Sequence, residues 1–339
     1  MLLNLFQRQR QGSTAQRLPQ PAERAGPPGA DALLRRLEWT VIRRLDGLLQ
    51  GDYRTLLRGT GLDLADLREY QLHDDVRHID WNVTARLQQP HVRVFTEDRE
   101  MAAWFLLDLS PSVDFGSGAQ RKREVLQGFV GVLARLITRH GNRVGALLYR
   151  GQGRAGVHTM LPVRGGRTQV LRLLHLVGGA EPAPAAEMPD HGPTRLAELL
   201  RSAALTVRQR SAVFVVSDFI SEPGWEQPLG ELARRHDVVA VRLLDPLELE
   251  LPDLGLLTIR DAETGEQLLV DTHDRGFRQR FARIAAQREA ELRESLARAG
   301  VDTLELSTDD DLAEAVVRFV DLRRHRQRLH HRPTRGAAA

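Results

Sequence analysis

No cysteine occurs in the 339 residues, which excludes disulfides, thiolate metal sites and cysteine nucleophiles. The absence fits a reducing compartment. Lysine is almost as scarce: Lys122 is the only one, so arginine supplies nearly all of the positive charge. The formal net charge is only +3, and the pI of about 9.9 reflects the arginine content rather than a nucleic-acid surface. No apolar run approaches the ~20 residues of a bilayer span. The opening MLLNLF is too short for a signal-peptide core and meets RQRQ without a cleavage pattern. A cytoplasmic location is the expectation.

What is present suits a folded protein. A 42% apolar fraction is enough for a proper core, and 27% charged residues suit a solvated surface. Residues 1–30, rich in Gln, Arg, Pro and Gly, read as a disordered leader. Over 31–50, apolar residues at Leu34, Leu37, Val41, Leu45 and Leu48 have helical spacing, with Asp31 placed to cap the start. Residues 51–100 alternate in short segments punctuated by Gly, Asp and Pro, the pattern of a small strand-rich module. From 101 to 324 apolar strands such as AAWFLLDL, RVGALLY, SAVFVVSDF, DVVAVRLL and VDTLELS alternate with amphipathic helices. Continuous rather than alternating apolar strands predict a mostly parallel sheet with helices on both faces. LLTIRDAETGEQLLVD reads as an inserted hairpin near 256–271, and 325–339 as a basic tail.

Two of these strands end in an acid: Asp108 in LLDLSPS and Asp218 in FVVSDF. In an open α/β sheet, ligands gather outside the carboxyl ends of the strands. Ser110 and Ser112 follow Asp108 at two-residue steps, and Thr194 opens a helical segment in GPTRLAELL. Two carboxylates and three hydroxyls form a hard-oxygen donor set without His or Cys, suited to Mg²⁺ and its roughly six oxygen ligands. Other chemistries fit less well. A serine nucleophile lacks a partnering base and the GxSxG elbow. A phosphate-binding P-loop would need a different spacing between its glycines and Lys122. The remaining reading makes Ser110 and Thr194 helix caps and Asp218 a turn residue.

DLSPS, Thr194 and SD together resemble the metal-ion-dependent adhesion site of von Willebrand factor A domains, DxSxS…T…D. Upstream, RGTGLDLADLREYQLHDDVRHIDWNVTARLQQPHVRVFTEDRE is similar to the signature of a bacterial family catalogued as domain of unknown function 58, and ARRHDVVAVRLLDPLELELPDLG continues the likeness. The resemblance covers roughly residues 50–320. It implies a Rossmann-like von Willebrand factor A domain whose Asp108, Ser110, Ser112, Thr194 and Asp218 hold Mg²⁺ or Mn²⁺, and a protein partner that supplies a further carboxylate to the metal. It also implies association with a MoxR-type AAA+ ATPase in a chaperone-like system, as a binding adaptor and not an enzyme. Three positions depart from the family pattern: His73 and Pro193 stand where glycine is usual, and Asp114 adds a carboxylate near the site.

Within HDDVRHIDW, the residues His73, Asp74, Asp75, His78 and Asp80 could suggest a second metal site, but the spacing fits no ligand template. A structural role is expected instead, with Trp81 as a buried anchor and the charges paired with Arg77, Arg86, Arg68, Glu69 and Tyr70. Two other functions stand as alternatives. One is a Mg²⁺-dependent phosphoryl or phosphodiester hydrolase, with Asp114, Arg121 and Lys122 as its only nearby base or clamp. The other is nucleic-acid binding through the arginine-rich ends, which lack interleaved aromatics.

Overall fold

A computed structural model describes residues 29–45, 66–71, 76, 79–94, 102–151, 157–179, 193–262 and 266–330. Most of the leader, His73, Asp74, Asp75, Arg77, His78 and the end of the chain from residue 331 lie outside them. Helix α1 (Ala30–Leu37) runs into a π-helical turn, Glu38–Ile42. Its apolar stripe, with Leu34, Leu37 and Leu45, is buried as the spacing predicts. Gly29 rather than Asp31 precedes the helix. Asp31 sits in the first turn and pairs with Arg35 and Arg167, both at 2.7 Å.

The small module contains strand β1 (Asp66–Glu69) antiparallel to β2 (His91–Val94), with helix α2 (Trp81–Leu87) between them. The anchor assigned to Trp81 is overturned: its side chain is 69% exposed. The reason is local. The Asp80 carboxylate accepts hydrogen bonds from the Asn82 and Val83 amides at 3.0 and 3.2 Å, making Asp80 the N-cap. Trp81 therefore starts the helix, and Asp80 is the buried member of the pair.

The main sheet has strands β3 (Ala102–Asp108), β4 (Arg143–Tyr149), β5 (Val157–Arg164), β6 (Ala212–Ser217), β7 (Asp237–Leu244) and β10 (Asp302–Ser307), in the order β10-β7-β6-β3-β4-β5. All neighbours are parallel except β5, which returns antiparallel along β4. Too few residues separate β4 from β5 for a helical crossover, so the chain doubles back. A separate hairpin, β8 (Leu256–Arg260) with β9 (Gln267–Asp271), stands where the insertion was expected.

Alternation along β3 divides the core. Phe105 and Leu107 face one side, covered by α1, α3 (Lys122–Arg139), α4 (Arg167–Gly178) and α8 (Leu312–His330). Trp104 and Leu106 face the other, covered by α5 (Leu196–Thr206), α6 (Glu226–Arg235) and the end of α7 (Arg275–Ala299). Each such fully buried side chain contributes about 1.5–3 kcal/mol. Helix α8 continues to His330, past the residue 324 boundary drawn from sequence. Among the described residues, no helix is long and apolar enough to cross a membrane.

One topological feature positions the site. From β3 the chain builds outward through β4 and β5, then returns to lay β6 on the opposite side of β3. The gap between the carboxyl ends of β3 and β6 is thus the point where strand order reverses, where open α/β sheets leave a crevice.

Candidate functional site

The residues that terminate β3 and follow β6 meet at this reversal. Asp108, the last residue of β3, is fully buried. One of its carboxylate oxygens accepts the Ser110 amide at 3.0 Å, and the other accepts the Ser217 hydroxyl at 2.6 Å. Burial, and then the charge of Asp218, push its carboxyl up to about 6. The first bond closes a turn just beyond the strand, ahead of the 3₁₀ turn Pro111–Asp114 that carries Ser112. Their hydroxyl oxygens lie 3.1 Å apart, both buried.

That spacing tests the donor set. The two hydroxyls are hydrogen-bonded to each other, and their separation is close to the about 2.9 Å between adjacent corners of an octahedron with bonds of about 2.0–2.1 Å. The capping reading fares worse. Ser110 precedes the 3₁₀ turn Pro111–Asp114 without a side-chain capping bond, and Arg195, not Thr194, stands at the start of α5. Its turn component does hold for Asp218, which accepts the Ile220 amide at 3.0 Å.

Thr194 reaches the same edge through its backbone. Its carbonyl accepts the Glu222 amide at 2.8 Å and the Ser221 hydroxyl at 2.9 Å, which ties it to the loop after Asp218. It is buried rather than at a surface helix start, and its neighbour Pro193 lines a cleft with Ser112 and Asp218. This cleft of about 850 Å³ continues from Ser112 and Asp218 to an apolar wall that includes Phe219, Trp225, Phe281 and Ile284. Phe219 has φ 59°, uncommon for a bulky residue. Its amide on the Ser217 hydroxyl at 2.9 Å and its ring 5.3 Å from that of Trp225 hold it there.

Three members of the site were not read from the sequence, and a fourth, Lys122, was read only as a wrongly spaced glycine-loop lysine or a clamp for a hydrolase. Ser217 bridges Asp108 to the Phe219 amide. Asp245, fully buried beyond the end of β7, accepts from the Ser117 amide (2.9 Å) and hydroxyl (2.7 Å) and from the Thr308 hydroxyl (2.9 Å), pinning the loop that follows Ser112. Lys122 is fully buried and donates to Asp218 at 2.8 Å and to Glu248 at 2.6 Å. Burial alone would lower its pKa, but Asp218 and Glu248 outweigh that and hold the ammonium charged above its usual range. Asp245 had a signal, an acid ending a third apolar strand. Lys122, Glu248 and Ser217 had none, because their partners are 96 to 126 residues away.

Asp114, whose carboxyl burial pushes upward against the pull of Arg123, is hydrogen-bonded to Arg123. Of the three groups a hydrolase would use, Lys122 and Asp114 are therefore already engaged. Among the described residues, no group of three or more His, Cys, Asp or Glu is arranged to hold a metal, so a cation here would depend on the hydroxyls.

Fold and site together define a mixed α/β domain with a mostly parallel sheet and an oxygen-lined crevice at its switch point. Over residues 66–291 the chain matches the family described as protein of unknown function DUF58, and it belongs to that family. It is 37% identical over 299 residues to Uncharacterized protein Rv1480 of Mycobacterium tuberculosis and to Uncharacterized protein Mb1516 of Mycobacterium bovis, across 88% of this chain and 90% of each relative. Among solved structures, the conserved hypothetical protein BatB from Bacteroides thetaiotaomicron overlays with TM-score 0.40 at 15% identity, over 66% of this chain and 99% of that one. An aerotolerance-related membrane protein from Bacteroides fragilis gives TM-score 0.41 at 14% identity, over 67% and 99%.

Proposed function

We propose that this protein is a metal-dependent protein-binding adaptor with a von Willebrand factor A-type adhesion site, and not an enzyme. The observation that carries the reading is the buried Ser110–Ser112 hydroxyl pair, 3.1 Å apart beside Asp108, with Ser112 lining the cleft. Ser110, Ser112 and Thr194 would hold Mg²⁺ or Mn²⁺, with Asp108 and Asp218 neutralising charge and orienting its waters. Bound there, the cation supplies an exchangeable position that accepts a carboxylate oxygen from a partner. The protein's own task is to keep the hydroxyls converged, which the Asp108–Ser110 bond and the Asp245–Ser117 bonds do without the ion.

The resemblance to the domain of unknown function 58 family points to a MoxR-type AAA+ ATPase as the associated machine. A hydrolase finds less support, because Lys122 and Asp114 already have partners. Calorimetry with MgCl₂ tests the reading: one site is expected, lost in Asp108→Ala and in Ser110→Ala. Binding that survives both substitutions would place the ion elsewhere. Capture of a purified MoxR-type ATPase should disappear with EDTA and return with Mg²⁺, and should weaken in Thr194→Ala. Equal capture in every condition would move the interaction away from this edge.

A further inference from the structure

Lysine is almost never fully buried unless paired, and this chain places its single lysine at a fully buried position of the site. Lys122 opens α3, where its backbone amide donates to the Phe115 carbonyl at 2.9 Å, and its ammonium lies 6.0 Å from the Phe115 ring centroid. One carboxylate would neutralise it, yet two converge on it. Asp218 comes from the end of β6, and Glu248 from the 3₁₀ turn Pro246–Glu248 beyond β7. Glu248 also lines the cleft beside Ser112 and Asp218.

We propose that Lys122 is the built-in counter-cation of this site, setting its charge to match a divalent ion and competing with that ion for Asp218, while Glu248 holds the ammonium in place. The inference rests on the cation-binding reading above. Asp108, Asp218, Glu248 and Lys122 are the charged groups gathered about Asp218, counted apart from Asp245, which Ser117 and Thr308 hold. As three carboxylates and one ammonium they carry a net charge of −2, which one divalent ion cancels. Removing the lysine charge leaves −3, and removing the Glu248 charge leaves −1. A unit charge about 7 Å from a divalent ion, reached through Asp218 and a bound water, changes its binding about sevenfold even with the screening of bulk water, and more at a buried site.

The test is Mg²⁺ calorimetry on the full chain at pH 7.5 for wild type, Lys122→Met, Glu248→Gln, the double variant Lys122→Met/Glu248→Gln, and Ser110→Ala. Lys122→Met should bind Mg²⁺ at least tenfold more tightly, and Glu248→Gln about tenfold more weakly although Glu248 is not among the proposed ligands. The double variant, restored to −2, should return to within threefold of wild type. If both single variants stay within threefold of wild type while Ser110→Ala abolishes binding, the lysine has no such role and the cation site stands. If Ser110→Ala binds like wild type, the cation reading fails and this inference with it. Should Lys122→Met not fold, Glu248→Gln and the double variant decide the matter. A wild type without detectable binding alongside a Lys122→Met that binds supports the proposal in its strongest form, and no binding in either overturns it.

Discussion

Replacing Ser217 by alanine should weaken the fold more than most single hydroxyl deletions, and by a calculable route. The hydroxyl donates to an ionised, fully buried Asp108 at 2.6 Å and accepts the Phe219 amide at 2.9 Å. A hydrogen bond to a charged group is worth about 1.5–3 kcal/mol, and a buried amide left without an acceptor costs about 1–3 kcal/mol more. The expected loss is roughly 2.5–6 kcal/mol, a large part of the ~5–15 kcal/mol that holds a domain together. Urea unfolding followed by far-ultraviolet circular dichroism, at pH 7.5 with EDTA, measures it. The same substitution in an Asp108→Ala background should cost only the amide part, so the two costs should differ by about 1.5–3 kcal/mol. Costs equal within about 0.5 kcal/mol in the two backgrounds would refute the link between β6 and the Asp108 carboxylate.

Arg323 on α8 donates to both carboxylate oxygens of Asp237, at 3.0 and 2.8 Å, and lies 3.4 Å from Asp302. Arg323→Met should therefore cost about 3–5 kcal/mol in urea unfolding, and a loss below about 1 kcal/mol would show the cluster to be dispensable. Gly145→Ala should lose about 1–3 kcal/mol, because a methyl there would lie 2.9 Å from Val163, 3.1 Å from the Leu161 carbonyl and 3.2 Å from the Trp104 ring. An unchanged urea midpoint would mean that β5 yields freely. Both ring nitrogens of His236 are buried without a partner among the described residues, and burial, then Arg235 and Arg210, lower its pKa below 6.5. The unfolded chain thus binds this proton more readily, so the contribution is present above pH 6.5 and lost as pH falls through the lowered folded value. Wild type should lose more stability than His236→Leu between pH 7.5 and 5.5, and parallel losses would contradict the assignment.

The strand-ending acids were legible because an ionisable residue closing an otherwise continuous apolar run has few bland explanations. Asp108 and Asp218 were found that way, and the hydroxyls followed from their two-residue steps. Trp81 shows the opposite case. A large aromatic is buried on average, but a capping aspartate just before it fixed the local geometry and turned the ring outward. Lys122 was read only as a glycine-loop lysine at the wrong spacing or as a clamp for a hydrolase. Its meaning depends on two carboxylates that reach it through tertiary structure alone, and no local period encodes such a meeting.

Those long separations have a consequence in time. Ribosomes add about 5–20 residues per second, and Glu248 lies 126 residues after Lys122. For roughly 6–25 seconds of every synthesis, the lysine exists without its full set of later partners. Until β6 has been made, β3, the future centre of the sheet, has an open edge where β6 will pair. The nascent chain is thus most vulnerable to wrong association at the strand that will finally be its best protected, and synthesis must pass residue 217 before that edge can close.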